Sequence, residues 1–275
     1  MTKIFVLVDI EGIAGVVHVQ EGDPGNAEYE RARRLMTGEA SAVVAGILDA
    51  EPAAEVVVAD AHGPFRNIVL EELDPRARLI RGKPAPWGMM DGIGPDYDAA
   101  MFVGVHSRAG TGVSTISHTF TGTIKDVRLN GEPFGELGLN AAVAGAYGVP
   151  VVLVAGDQVV AQETRSHLGP EATSVIVKES RGWARAEAAH PTVVQARLRA
   201  AAAEAMGKRS AVAPLRVKEP VTIDVTLSEP YIVDMAAMIE NVQRIDGVTI
   251  RAGRENALAA YRLLRLITLL CSVRT

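Results

Sequence analysis

The feature that most constrains this chain is its opening stretch, where five consecutive apolar residues, Ile4 to Val8, run straight into Asp9-Ile10-Glu11-Gly12. An uninterrupted apolar run of that length is the pattern of a strand buried on both faces, as in a parallel sheet covered by helices. The carboxylates then stand at its carboxyl end, the edge where open α/β sheets bind ligands. Residues i and i+2 of an extended chain point the same way, so Asp9 and Glu11 can share one site. For Asp-Xaa-Glu alone, a solvated acidic turn is the plain alternative.

The design recurs down the chain. A second apolar run at 54–59 ends in Asp60-Ala61-His62-Gly63, a run at 99–105 delivers His106, and a run at 150–157 ends in Asp157. Helical periodicity fills 26–50, 136–146 and a stretch up to His167, with a short helix at 67–73 and a strand at 77–80. Residues 122–129 and 132–134, joined by Asn130-Gly131, read as a hairpin with a type I′ turn. Strand–helix alternation of this kind predicts an α/β fold with a mostly parallel central sheet flanked by helices. Beyond it, a strand at 174–177, a helix at 192–206, alternation at 221–227, a helix from 231, a strand at 248–250 and a helix at 256–271 suggest a smaller α+β subdomain. The expected division is a catalytic domain over 1–180 and the subdomain over 181–275.

With 275 residues, the chain can bury a sizeable core without disulfides or structural metal, so any metal is expected to serve chemistry. A net charge of −5 and the lack of a Lys/Arg cluster argue against nucleic acid. The single Cys271 excludes an internal disulfide and fits a reducing compartment, buried and inert in an apolar helix. The N-terminal apolar run is too short for a signal peptide and ends in acids, and Arg262 and Arg265 interrupt the C-terminal apolar segment, so no membrane span is expected. The expected location is cytoplasmic.

Chemistry concentrates where the strands end. Asp9, Glu11, His62 and His106, joined by Glu136 at a helix start, converge on one sheet edge, with His118 in the loop beyond. Mixed carboxylate and imidazole ligation suits zinc, and a carboxylate can bridge two ions where a neutral imidazole cannot. Five ligands exceed one tetrahedral ion and suit two that share a carboxylate and leave room for water, as in dinuclear hydrolases. Each histidine alone is more often a polar residue satisfied by backbone than a ligand. No Gly-Xaa-Ser-Xaa-Gly elbow, no Cys near a His and no phosphate-binding loop with a Lys competes as nucleophile, which leaves metal-activated water.

Val8-Asp9-Ile10-Glu11-Gly12-Ile13, Asp60-Ala61-His62, Gly104-Val105-His106, Ser117-His118 and the block from Gly135 to Ala141 together resemble the D-aminopeptidase family of bacterial dipeptide-transport operons, peptidase family M55. The ordered match spans about residues 4 to 157. The resemblance implies a dinuclear zinc peptidase, two Zn2+ per chain, that removes N-terminal D-amino acids of the D-Ala type from short peptides within a ring-shaped homo-oligomer. Carried over by position, Asp9 bridges the ions, Glu11 and His62 complete one site, and His106 and Glu136 the other. His118 matches the family's catalytic histidine, given there as nucleophile. Physical grounds favour a proton shuttle or transition-state donor, because an acyl-imidazole is unnecessary beside activated water.

Ser107 stands where a small apolar residue is expected, and no motif is recognised beyond about residue 180. A metal-dependent phosphohydrolase would use the same ions, and a non-catalytic oligomer with structural metal is the bland alternative. Arg108 lies near the site in sequence but reads as a surface loop residue. Asp60 and Asp157 are candidates to orient ligands, whereas His18, His167 and His190 have no partner motif.

Overall fold

The computed structural model describes residues 1–273, with twelve strands and six α-helices in the order β1 (Lys3–Val8), α1 (Tyr29–Ala50), β2 (Glu55–Asp60), β3 (Arg78–Ile80), β4 (Ala99–Val103), β5 (Ile124–Leu129), β6 (Glu132–Pro133), α2 (Glu136–Ala146), β7 (Val151–Asp157), α3 (Gln158–Leu168), β8 (Thr173–Gly182), β9 (Arg185–Ala188), α4 (Pro191–Lys208), β10 (Val221–Leu227), α5 (Pro230–Ala236), β11 (Val242–Arg244), β12 (Thr249–Arg254) and α6 (Ala257–Leu270).

The apolar runs assemble as their composition requires. β1, β2, β4 and β7 pair in parallel within a seven-stranded sheet of order β3-β2-β1-β4-β7-β8-β9, antiparallel only between β8 and β9. Ile4 to Val8 and Ala99 to Val103 are wholly buried, because helices cover the sheet on both faces. The chain runs outward from β1 through β2 to β3, then returns to the other side of β1 as β4. Strand order therefore reverses at β1, the switch point where a crevice opens outside the carboxyl ends. Register brings those ends level, with Val8 opposite Asp60 on one side and Val103 on the other.

A second, antiparallel sheet has the order β11-β12-β10-β5-β6. β10 alternates buried and half-buried residues, as its sequence suggests, and packs against α5 and α6. Asn130 (φ 52°) and Gly131 (φ 86°) close the β5–β6 hairpin with two left-handed residues, the type I′ requirement. This sheet draws on residues from both parts of the chain: the hairpin at 124–133 joins strands after residue 220. The boundary expected near residue 180 falls inside β8, which pairs with both β7 and β9.

Three local features differ from the sequence reading. The short helix at 67–73 is a 3-10 turn over Leu70–Glu72, because the Asn67 and Ile68 amides donate to the Asp60 carboxylate rather than to a helical ladder. β8 runs on to Gly182, where the reading stops at 177, carried by its pairing with β9. β9 (Arg-Ala-Glu-Ala) and β11 (Val-Gln-Arg) are too short and polar to signal a strand, and cross-strand pairing alone defines them.

The crevice depends on tight backbone contact. The Gly12 amide donates to Gly104 O at 2.7 Å, and a Cβ on Gly12 would lie 2.0 Å from Val105 O. Gly12→Ala must therefore push the turn after β1 away from the end of β4. The expected loss is about 3 kcal/mol, the scale of an overpacked core, read as a lower urea midpoint; an unchanged midpoint would show that the turn is free to move.

Candidate active site

Each side chain of the site is delivered by a separate element. Asp9 leaves β1 with its amide still paired to Val103 O (2.9 Å), and its own Oδ1 accepts from the Ile10 amide at 2.8 Å. Glu11 follows in a turn braced from below by Lys178, whose buried ammonium donates to the carbonyls of Glu11 (2.5 Å), Ile13 (3.1 Å) and Val16 (2.6 Å). Glu39 braces the same turn, accepting from the Ala14 amide at 2.8 Å.

His62 is placed by Asp60. That carboxylate gathers the Asn67 amide (2.5 Å), the Ile68 amide (2.7 Å) and Asn67 Nδ2 (2.7 Å), and Nδ2 also donates to His62 O at 2.7 Å. Asp157 does the same for the loop between His106 and His118. Its Oδ2 accepts from Ser114 Oγ (2.8 Å) and the Thr115 amide (3.1 Å), while Oδ1 caps α3 through Val159 and Val160. Ser107 joins this chain, donating to Ser114 Oγ at 2.6 Å, which gives its hydroxyl a place in an apolar position. Glu136 opens α2, where the helix dipole favours a carboxylate, and accepts from the Phe120 amide at 2.6 Å.

All six predicted residues meet. His62 Nδ1 lies 2.9 Å from Glu11 Oε2 and 3.2 Å from Asp9 Oδ1; His106 Nε2 lies 3.2 Å from Glu136 Oε1 and 3.7 Å from Asp9 Oδ2. The two oxygens of Asp9 thus address different histidines. His118 Nε2 stands 3.8 Å from Glu11 Oε1 and 3.7 Å from Glu136 Oε1, its ring stacked on His106 at 3.9 Å. Two groups of potential metal ligands result: Asp9, Glu11 and His62, and His106, His118 and Glu136.

The far nitrogen of every imidazole contacts a backbone carbonyl: His62 Nε2 meets Gly22 O (3.1 Å), His106 Nδ1 meets Ser107 O (3.0 Å) and His118 Nδ1 meets Ile116 O (2.8 Å). A carbonyl only accepts, so that nitrogen carries the proton. In a neutral ring the inner nitrogen then presents a lone pair to carboxylate oxygens, a repulsive arrangement unless a cation lies between them. Buried His106 Nε2 correspondingly makes no hydrogen bond within the described residues. These donors fit zinc, which takes neutral imidazole and carboxylate together.

Burial governs protonation in the cluster. It pushes Asp9 up to about 8, helped by the charge on Glu11. Burial acts the same way on Glu11 and Glu136, but His62 outweighs it for Glu11 and His106 for Glu136, so both are held down, Glu11 well below the usual range. Burial disfavours imidazolium, yet Glu11 and Asp9 carry His62 well above its ordinary value, and Glu136, Glu11 and Asp9 carry His106 to about 10. His118 moves oppositely, lowered by burial and by His106.

A family model described as D-aminopeptidase, peptidase M55, matches residues 2–266. The chain belongs to this family. A D-aminopeptidase of Bacillus subtilis (strain 168) is 32% identical over 267 residues, spanning 97% of this chain and 96% of that one. A solved structure described as a Zn-dependent D-aminopeptidase from Bacillus subtilis, a self-compartmentalizing protease, superposes with a TM-score of 0.95 at 30% identity, covering 100% of this chain and 99% of that chain. The M55 chain thus keeps its fold from end to end, including the part after residue 180 in which no motif is legible.

The cavity over the cluster, about 140 Å3, is lined by Asp9, Glu11, His62, His118 and Glu136 together with Phe65, Lys83, Met89, Phe120 and Arg265. Reading the sequence missed these last five and Lys178. Arg108 turns away from the cavity, its guanidinium 3.7 Å from Asp126. His18 and His190 cap helices and His167 packs on Phe134, so none of the three reaches the cluster.

Lys178 is the brace that can be tested directly. Lys178→Met leaves the buried carbonyls of Glu11 and Val16 without a donor, Ile13 O keeping the Val16 amide, and should cost about 2–4 kcal/mol in chemical denaturation, since each unsatisfied buried group costs about 1–3 kcal/mol and part of the loss is recovered with the buried charge. Lys125→Met removes an exposed bond to Gly122 O and is the control, expected within about 0.5 kcal/mol of wild type. Equal effects would remove Lys178 from its assigned part.

Proposed function

We propose that this M55 chain is a D-aminopeptidase that uses two zinc ions to release N-terminal D-amino acids, of the D-Ala type, from short peptides. The observation that carries the proposal is the set of three imidazoles whose inner nitrogens face one buried carboxylate cluster, with the oxygens of Asp9 divided between His62 and His106. Asp9 is the natural bridge. Glu11 and His62 would hold one ion, His106 and Glu136 the other. Bound there, the pair would supply an acidified water and polarise the scissile carbonyl.

The protein's own part in proton transfer falls to His118. Its Nδ1 proton is engaged by Ile116 O, leaving Nε2 as the acceptor facing the cluster. Its side chain is 23% exposed where that of His106 is 1% exposed, so it borders the cavity that admits substrate. A lowered pKa keeps it neutral near pH 7, able to take a proton from water and return it to the leaving amine.

We also infer a cytoplasmic enzyme assembled as a closed, ring-shaped homo-oligomer that admits only short peptides. No described helix is long and apolar enough to cross a membrane. We take the antiparallel sheet with α5 and α6 as the smaller unit, the β5–β6 hairpin being its share of the first half. A phosphohydrolase would use the same ions, but family membership favours the peptide bond.

Two measurements test this reading. Metal analysis should return two zinc ions per chain, and the loaded protein should cleave D-Ala-D-Ala far faster than L-Ala-L-Ala, with loss of activity on chelation. Asp9→Ala should lose both ions and His62→Ala mainly one; a fully loaded protein with a single ion sinks the dinuclear assignment. His118→Ala should retain metal and fold yet lose roughly 10²-fold or more in kcat with little change in KM, the scale of a removed acid–base group. Loss of an ion would instead make His118 a ligand beside His106 and Glu136.

A further inference from the structure

Besides the acidic cluster, the cavity is lined by two cations that the proposed chemistry leaves unused. Lys83 comes from the loop after β3, and Arg265 from the middle of α6. Both also line the neighbouring groove formed with Pro84, Pro86, Leu266 and Leu269, so they stand where the cavity opens into that groove.

Neither cation is committed elsewhere in the protein. Among the described residues neither forms an ion pair, and Arg265 Nε is buried with no hydrogen-bond partner. Each instead rests on an aromatic ring of the cavity wall: Lys83 Nζ lies 4.7 Å from the centre of Phe65 and Arg265 Cζ 5.9 Å from that of Phe120. Cation–π contact of this kind fixes a charged head without consuming its N–H donors. Room for the guanidinium is built into the backbone, since a Cβ at Gly88 (φ +57°) would lie 2.7 Å from Arg265 Nε. Burial lowers the Lys83 pKa, and the nearby Arg265 charge adds to the shift.

A short peptide carries its free carboxylate within a residue or two of the scissile bond, so cations lining the same cavity as the candidate metal cluster are placed to meet it. We propose that Lys83 and Arg265 form the subsite for the free C-terminal carboxylate of the peptide, so that preference for short peptides is read by charge as well as by access. The inference rests on the peptidase reading above and specifies which peptides it covers.

The test compares zinc-loaded wild type, Lys83→Gln, Arg265→Gln and Arg265→Lys on D-Ala-D-Ala and on its C-terminal amide. Wild type should favour the acid by about tenfold or more in kcat/KM, the scale of one charge-assisted contact. Either Gln substitution should pull the acid-to-amide ratio towards one, chiefly through KM for the acid, and Arg265→Lys should restore part of it. The preference should also shrink at high salt. A wild-type ratio near one, or variants that lower both substrates by one factor, would overturn the subsite. If wild type cleaves neither peptide, the peptidase reading fails by itself. Calorimetric titration of the two peptides into the same proteins then decides the subsite: tighter binding of the acid that vanishes in Arg265→Gln upholds it, and equal affinities overturn it.

Discussion

The constraint on which this structure depends is electrostatic: Asp9, Glu11 and Glu136, each at most 6% exposed, are packed together in one crevice. Three carboxylates taken out of water beside one another are strongly unfavourable unless cations and donors meet them. The protein supplies donors from the Ile10 and Phe120 amides and the amino end of α2, and it supplies imidazoles. Each imidazole spends its outer N–H on a backbone carbonyl, and the carboxylates draw His62 and His106 towards the protonated form. A divalent cation would take the place of those inner protons between ring nitrogens and carboxylate oxygens.

Holding such a cluster together is the work of groups that never enter it. Asp60 and Asp157 each sit at the end of a parallel strand and gather amides of the loop beyond it, Asp60 behind His62 and Asp157 behind the segment from His106 to His118. Lys178 reaches from β8 to the turn after β1 and donates from one ammonium to three of its carbonyls, two of which have no backbone donor. Its pKa falls to about 8 through burial, opposed by Glu39 and Asp157. A buried charge of that kind earns its place only where backbone must be held without secondary structure, and the turn carrying Glu11 is such a place.

What was legible in the sequence follows from this division. The ligands are short polar signals at the ends of long apolar runs, so Asp9, Glu11, His62, His106 and Glu136 stand out, and the parallel sheet that unites them is implied by the same runs. Lys178 lies 167 residues from Glu11 along the chain, inside a strand whose local pattern is unremarked, and only the pairing of β8 with β7 brings it under the turn. Arg265 in an apolar helix argues locally against a membrane span and nothing more; its approach to the cavity arises because α6 packs on α2, with Tyr261 donating to Asn140 at 3.0 Å. The smaller sheet was illegible as a unit for a related reason. Its hairpin and its remaining strands are separated by the whole of α2 to α4, and local periodicity carries no information about such a pairing.

The aromatic lining of the cavity is tied through the backbone to the cluster. Phe65 and Phe120 both adopt left-handed backbone (φ 57° and 56°), a conformation that costs a bulky residue about 1–3 kcal/mol and survives only where the surroundings over-determine it. Here they do. The Phe65 amide donates to His62 O at 2.8 Å and its carbonyl accepts from Gly82 at 2.6 Å, while the Phe120 amide is held by Glu136. Each strained residue therefore ties a ring of the cavity lining to a residue of the cluster, two or three positions from one of its histidines. A shift in the cluster would move the aromatic seats beneath Lys83 and Arg265, and with them the subsite proposed for the peptide carboxylate.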